Sequence, residues 1–222
     1  KVRTLLRLAG AMDPAATPPK GPTMRLMALF KAAGAQREPE VSAQVLGSFT
    51  GHDLARTAYQ AHLDARSKKA AKELGKVLKG FGKRDARRLL THFTTISQGL
   101  TRSQERKAAS RYIKAEVAAA RSMMDASDRD DALHEVRKHL KNAWHTLRLL
   151  DRSGALKEAQ QHMLERLGGL QEALGDWHDL FVVWADLGTR GSTVAQLRNA
   201  VEDRLQERRR QLVGRLREVL GE

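Results

Sequence analysis

An all-α fold is what this sequence predicts, and three observations carry the prediction. Ala, Leu, Arg, Lys, Glu and Gln dominate the 222 residues, aromatics are 5%, and no Val/Ile-rich run alternates as a half-buried strand requires. Apolar residues instead recur every three or four positions through most of the chain. Glycines and prolines fall between these periodic stretches, where helices would end.

Taken in order, KVRTLLRLA reads as the end of an amphipathic helix, polar at Lys1, Arg3 and Arg7 and apolar at Val2, Leu5, Leu6 and Leu8. Pro14, Pro18, Pro19, Gly21 and Pro22 then make a linker. A helix from Thr23 to about Ala33 is expected to stop at Gly34, with a new one restarting around Pro39, a residue suited to a first helical turn. Residues 47–51 form a turn, and Asp53 caps a long helix from Leu54 to about Leu78. One side of that helix carries Tyr59, Leu63, Ala70, Leu74 and Leu78; another carries His62, Arg66, Lys69, Lys72 and Lys76, with Glu73 inside the basic arc.

Gly80 and Gly82 break the chain before two more predicted helices, 84–98 and 103–124, and residues 125–131 read as an acidic loop that caps the next helix. The stretch LHEVRKHLKNAWHTLRLL, 133–150, has two faces that demand opposite environments. At about 100° per residue, His134, Arg137, Lys138, Lys141, His145 and Arg148 fall inside an arc of roughly 100° that holds no carboxylate. Opposite run Val136, Leu140, Ala143, Leu147 and Leu150. The apolar stripe asks for a core and the basic stripe for an anion. After Gly154 a helix to about Leu174 is expected to end at Gly175, followed by a short apolar helix, DWHDLFVVWADL, with Asp176 and Asp179 as caps. The last helix, near 193–220, puts Leu197, Val201, Leu205, Leu212, Leu216 and Val219 inside and Arg204, Arg208 and Arg215 along one edge.

Forty Lys and Arg against 26 Asp and Glu give a net charge of +14, which implies a polyanionic partner: nucleic acid, an acidic membrane surface or inorganic polyphosphate. The absence of cysteine excludes disulfides and thiolate metal sites and fits a reducing, cytoplasmic setting. No apolar run is long enough to span a bilayer and no signal peptide opens the sequence, so no membrane association is expected. His134, His139 and His145 lack zinc spacing, so no metal site is expected. Catalysis finds no support either: there is no Walker-type glycine loop, no G-x-S-x-G, and no carboxylate pair placed for magnesium. Neither an enzyme nor a cofactor is expected. Scarce aromatics argue against a platform for stacking bases, and Trp144, Trp177 and Trp184 read as core.

The chain also matches itself. At an offset of about 141, KVRTLLRLA falls on NAWHTLRLL, so that Arg7 meets Arg148; Gly34-Ala-Gln-Arg37-Glu38-Pro-Glu40-Val41 falls on Gly175-Asp-Trp-His178-Asp179-Leu-Phe181-Val182. Near 138 the long helices correspond, with Arg66 on Arg204. Two copies of a helical bundle, residues 1–127 and 128–222, are the expectation, their basic helices facing one another as the walls of a cationic channel.

These residues resemble the CHAD domain, the conserved histidine α-helical domain. The signature helix of that family resembles 133–150, with His134, Arg137, Lys141 and Arg148 at the matching places; its turn, a glycine followed by a basic residue and an acid, is similar to the stretches containing Arg37 and His178. The resemblance covers the whole chain as one domain, 1–222. It implies two four-helix bundles related by a pseudo-two-fold axis, a basic cavity between them, binding of inorganic polyphosphate, and targeting to polyphosphate granules. Resemblance, basic stripes and self-match together give the candidate polyphosphate-binding residues Lys1, Arg3, Arg7, Arg37, Arg66, Lys69, His134, Arg137, Lys138, Lys141, His145, Arg148, His178, Arg204 and Arg208. Sulfate or phosphate ions would fill the same site. Polyphosphate offers only oxygen acceptors, which suits Arg forks, Lys point charges and imidazoles that donate better as pH falls. Two alternatives stand beside this reading: a nonspecific nucleic-acid-binding protein, and an accessory domain of a triphosphate- or polyphosphate-hydrolysing enzyme.

Overall fold

The computed structural model describes residues 2–13, 15, 17–124 and 129–221, with residues 2 and 3 as backbone only. Lys1, the side chain of Arg3, Pro14 and the first part of the acidic loop lie outside the described residues. Eight α-helices follow one another: α1 Val2–Met12, α2 Lys20–Gly47, α3 Asp53–Gly80, α4 Lys83–Gln98, α5 Arg102–Ser122, α6 Asp130–Arg152, α7 Glu158–Leu187 and α8 Ala195–Gly221. A 3₁₀ turn at Ser192–Val194 precedes α8, and no strand occurs among the described residues. The fold is all-α, as composition and periodicity predict.

Three boundaries differ from the expected ones. The first helix after the linker begins at Lys20 rather than Thr23, because Pro22 falls in its first turn, where the missing N–H would have no intrahelical partner anyway. That helix then runs unbroken through Gly34 and Pro39. An interior proline costs about 3 kcal/mol and a glycine about 1, and burial on both sides of them outweighs this. What changes along α2 is the buried face. On helical geometry Pro22 and Leu26 lie within about 40° of each other, while Pro39, Ser42 and Leu46 are buried on nearly the opposite side.

Helix α7 likewise passes through Gly175, so Asp176 and Asp179 are interior helical residues and not caps. Its buried residues Leu174, Trp177, Leu180 and Val183 are spaced by three, which carries the stripe about half-way round the helix.

The residues form two compact units. The first comprises residues 1–18, 90–175 and 210–222; the second comprises 19–89 and 176–209. The division falls inside α4, α7 and α8. In the first unit α1 packs on α5 and α6, and α5 packs along α6. Leu133, Val136, Leu140, Ala143 and Leu147 of α6 are fully buried with Leu170, Leu174 and Leu216. In the second unit α2 packs along α3, and Tyr59, Leu63, Trp177, Leu197 and Val201 form the core.

Two helix ends show local satisfaction of the backbone. Thr101 and Gln104 make a reciprocal capping box at the start of α5. Gly154, with φ of 65°, ends α6: its N–H donates to Asp151 O and that of Ala155 to Leu150 O, both at 2.9 Å. No helix among the described residues is long and apolar enough to cross a membrane.

Candidate functional site

Helix α6 presents the basic face the sequence predicts. With its apolar stripe buried, His134, Arg137, His145 and Arg148 are half-exposed and Lys138 and Lys141 are exposed. From His134 to Arg148 the face runs about 21 Å along the helix. It is less free of acid than the sequence predicts. The helix begins at Asp130, four residues before His134 and therefore on the same arc. At the other edge Lys138 Nζ meets Glu135 Oε1 at 2.5 Å, and the lysine holds the Glu135 carboxyl below its usual range. Asp130 and Asp131 sit in the first turn, where the helix dipole favours them.

Trp144 is half-buried, not core; the Arg148 guanidinium lies 4.9 Å over its ring and the His145 ring is 5.0 Å away. This contact fixes the lower end of the basic face. One flank of the helix is held by a polar network that the sequence does not reveal. Glu116 of α5, largely buried, accepts from Asn142 Nδ2 at 3.2 Å and lies 2.7 Å from His139 Nδ1. Thr4 of α1 reaches Asn142 in turn at 3.5 Å. The network ties α1 and α5 to the flank of α6 between its basic and apolar stripes. Arg7 of α1 is exposed near Tyr112 of α5, whose hydroxyl is pushed above its ordinary pKa by burial and by Glu116, with Arg7 opposing.

In the second unit several of the basic residues make contacts with the rest of the unit. Arg66 holds Glu38 at 2.6 Å and Asp186 at 3.1 Å. Asp186 also accepts from the Tyr59 hydroxyl and from Arg190 at 3.1 Å, with His62 Nε2 3.6 Å away. Arg204 donates to Ser48 Oγ at 2.5 Å and stacks 3.9 Å over the Phe49 ring. His178 contacts Asp179 at 3.3 Å. Arg37, Lys69 and Arg208 are exposed. The stretches containing Arg37 and His178 are both helical, so neither is the turn the sequence predicts. Among the described residues no three His, Asp or Glu side chains converge as a metal site.

Comparison with known proteins bears on this geometry. The family model of the CHAD domain matches residues 1–189. The chain belongs to the CHAD family. A crystal structure of the CHAD domain from the plant Ricinus communis is similar to it, with a TM-score of 0.70 and 17% identity, covering 99% of this chain and 77% of that one. At that identity the likeness concerns the fold. No curated protein matches the chain. The matched span of this CHAD domain includes α6 and ends between α7 and α8.

Proposed function

We propose that this CHAD domain binds inorganic polyphosphate along the basic face of α6 and does so without catalysing a reaction on it. The observation that carries the reading is the opposition of the two faces of α6. Five fully buried apolar residues hold the helix, while six Arg, Lys and His side chains on the other side remain at least partly exposed. Such a row of N–H donors suits an unbranched chain of phosphate oxygens, with no base edge to read. Arg7, on the helix that packs against α6, belongs to the same unit. Attachment to polyphosphate granules would follow from this binding.

Binding driven by counterion release should weaken steeply with salt. Replacing Arg137, Lys141 and Arg148 together with Glu should abolish polyphosphate binding while circular dichroism stays helical. Affinity that survives the triple reversal puts the site elsewhere. The net charge of +14 also favours nonspecific nucleic acid. If polyphosphate is the ligand, long chains of it displace DNA and DNA does not displace polyphosphate. Release of phosphate in the presence of magnesium or manganese would refute the absence of catalysis.

A further inference from the structure

A second basic feature lies outside the signature helix. A groove of about 810 Å³ between α5 and the start of α7 is lined by Arg106, Lys107, Arg111 and Lys114 on one wall and Lys157 on the other. All belong to the first unit. No carboxylate lines it, and none of the five cations has an ion-pair partner among the described residues. Some surface cations elsewhere do pair with acids, as at Arg25 and Asp85, Lys76 and Glu73, and Arg129 and Asp131; what sets the groove apart is five cations gathered in one concavity. Of the acids adjacent in sequence, Glu105 accepts from the Ser97 hydroxyl at 2.5 Å, and Glu158, beside Lys157, is exposed and does not line the groove.

The groove also has an apolar component, which distinguishes it from the face of α6. Ile113, Ala159 and Met163 contribute to its lining, with no aromatic ring. A bare phosphate chain gains nothing from Ile and Met side chains, and a single-stranded nucleic acid would want a ring to stack on. A helix with an apolar stripe flanked by acids uses both parts. The cations of α5 are spread over about 12 Å at near-helical spacing, so acids at i, i+4 and i+7 meet them in turn, and Met163 adapts its thioether to whatever apolar side chain arrives.

We propose that the α5/α7 groove is a docking site for an acidic amphipathic helix of a partner protein, separate from the face assigned to polyphosphate. The test uses the full chain and a fluorescent synthetic peptide with Leu at helical spacing and Glu on both flanks. A second peptide of the same charge has each Leu replaced by Ser. Wild-type protein should bind the Leu peptide saturably and the Ser peptide at least about tenfold more weakly. K107E/R111E should lower Leu-peptide affinity by about tenfold or more and leave long-chain polyphosphate affinity within about twofold of K68E/R87E, a control of equal charge at two exposed positions outside the groove. Met163→Ser, which alters no charge, should weaken the Leu peptide alone, by about threefold to tenfold. Equal binding of the two peptides, or no saturable binding, overturns the proposal. So does a loss of polyphosphate affinity in K107E/R111E as large as the loss for the peptide, which makes the groove a general polyanion surface. Failure of the α6 reading would appear separately, as polyphosphate binding that survives R137E/K141E/R148E.

Discussion

Replacing Asp186 should test how the second unit is held together. Its carboxylate is 19% exposed and serves the Tyr59 hydroxyl, Arg66 and Arg190 at once. Burial alone would raise its pKa; Tyr59 and Arg190 hold it below the usual carboxylate range. In Asp186→Ala the three contacts do not simply add, although a hydrogen bond to a charged group contributes about 1.5–3 kcal/mol. Arg66 keeps Glu38, and Arg190, on the surface, regains water. The losses that remain are the acceptor of a hydroxyl on a residue only 2% exposed and one charged bond from a half-buried guanidinium. Together these come to about 2–4 kcal/mol. Asp186→Asn keeps an acceptor oxygen and loses only the charge, at about 1–2 kcal/mol. Urea unfolding at pH 7, followed by circular dichroism, measures both. An alanine variant within about 0.5 kcal/mol of wild type, or an asparagine variant as damaged as the alanine, would refute the reasoning.

Acid sensitivity should begin near neutrality. Burial and the neighbouring Arg190 push the His62 pKa below its ordinary value, and Arg190 lies 2.6 Å from its Nε2. The stabilisation tied to neutral His62 is therefore complete above the unfolded pKa of about 6.5 and is lost as pH falls toward the lower folded value. The urea midpoint should fall between pH 7 and 5, less so in His62→Gln; an unchanged pH profile in that variant sinks the assignment. Leu140 and Lys141 are adjacent on α6, one fully buried and one exposed. Leu140→Ala should cost about 2–5 kcal/mol of stability, whereas Lys141→Ala should cost under about 0.5 kcal/mol and weaken polyphosphate binding; thermal melts and titrations on the same samples decide. Glu135→Gln releases Lys138 from its ion pair, so polyphosphate affinity should rise by about twofold to fivefold at low salt and by less at high salt. A fall in affinity at low salt would contradict that role for Lys138.

The two faces of α6 are legible in the sequence because periodicity and residue type agree along its length, and the helix start at Asp130 extends the pattern by less than one turn. Continuity of α2 and α7 is not legible there. Gly34, Pro39 and Gly175 carry local penalties of about 1–3 kcal/mol, and only the burial of residues on both sides shows that the penalty is exceeded. The change of buried face along α2 makes it read as two helices. Arg66 and Arg204 read as basic edges because a helical stripe shows only its own neighbours. Arg66 meets an acid from 28 positions away, Tyr59 finds Asp186 at a separation of 127, and Arg204 finds Ser48 at 156. The α5 groove is hidden in the sequence for the same reason: its opposite wall comes from Lys157.

The division of the chain inside α4, α7 and α8 bears on how the protein can be made and cut. Each unit is assembled from separated segments, and the last helix supplies part of both. During synthesis neither core closes until α8 has emerged, so folding of either unit waits for contacts between distant parts of the chain. A fragment ending at residue 189, where the family match stops, would remove Leu197, Val201 and Leu205 from one core and Leu212, Leu216 and Leu220 from the other. Binding studies on this protein therefore depend on keeping the last helix, although the basic face they address lies wholly on α6.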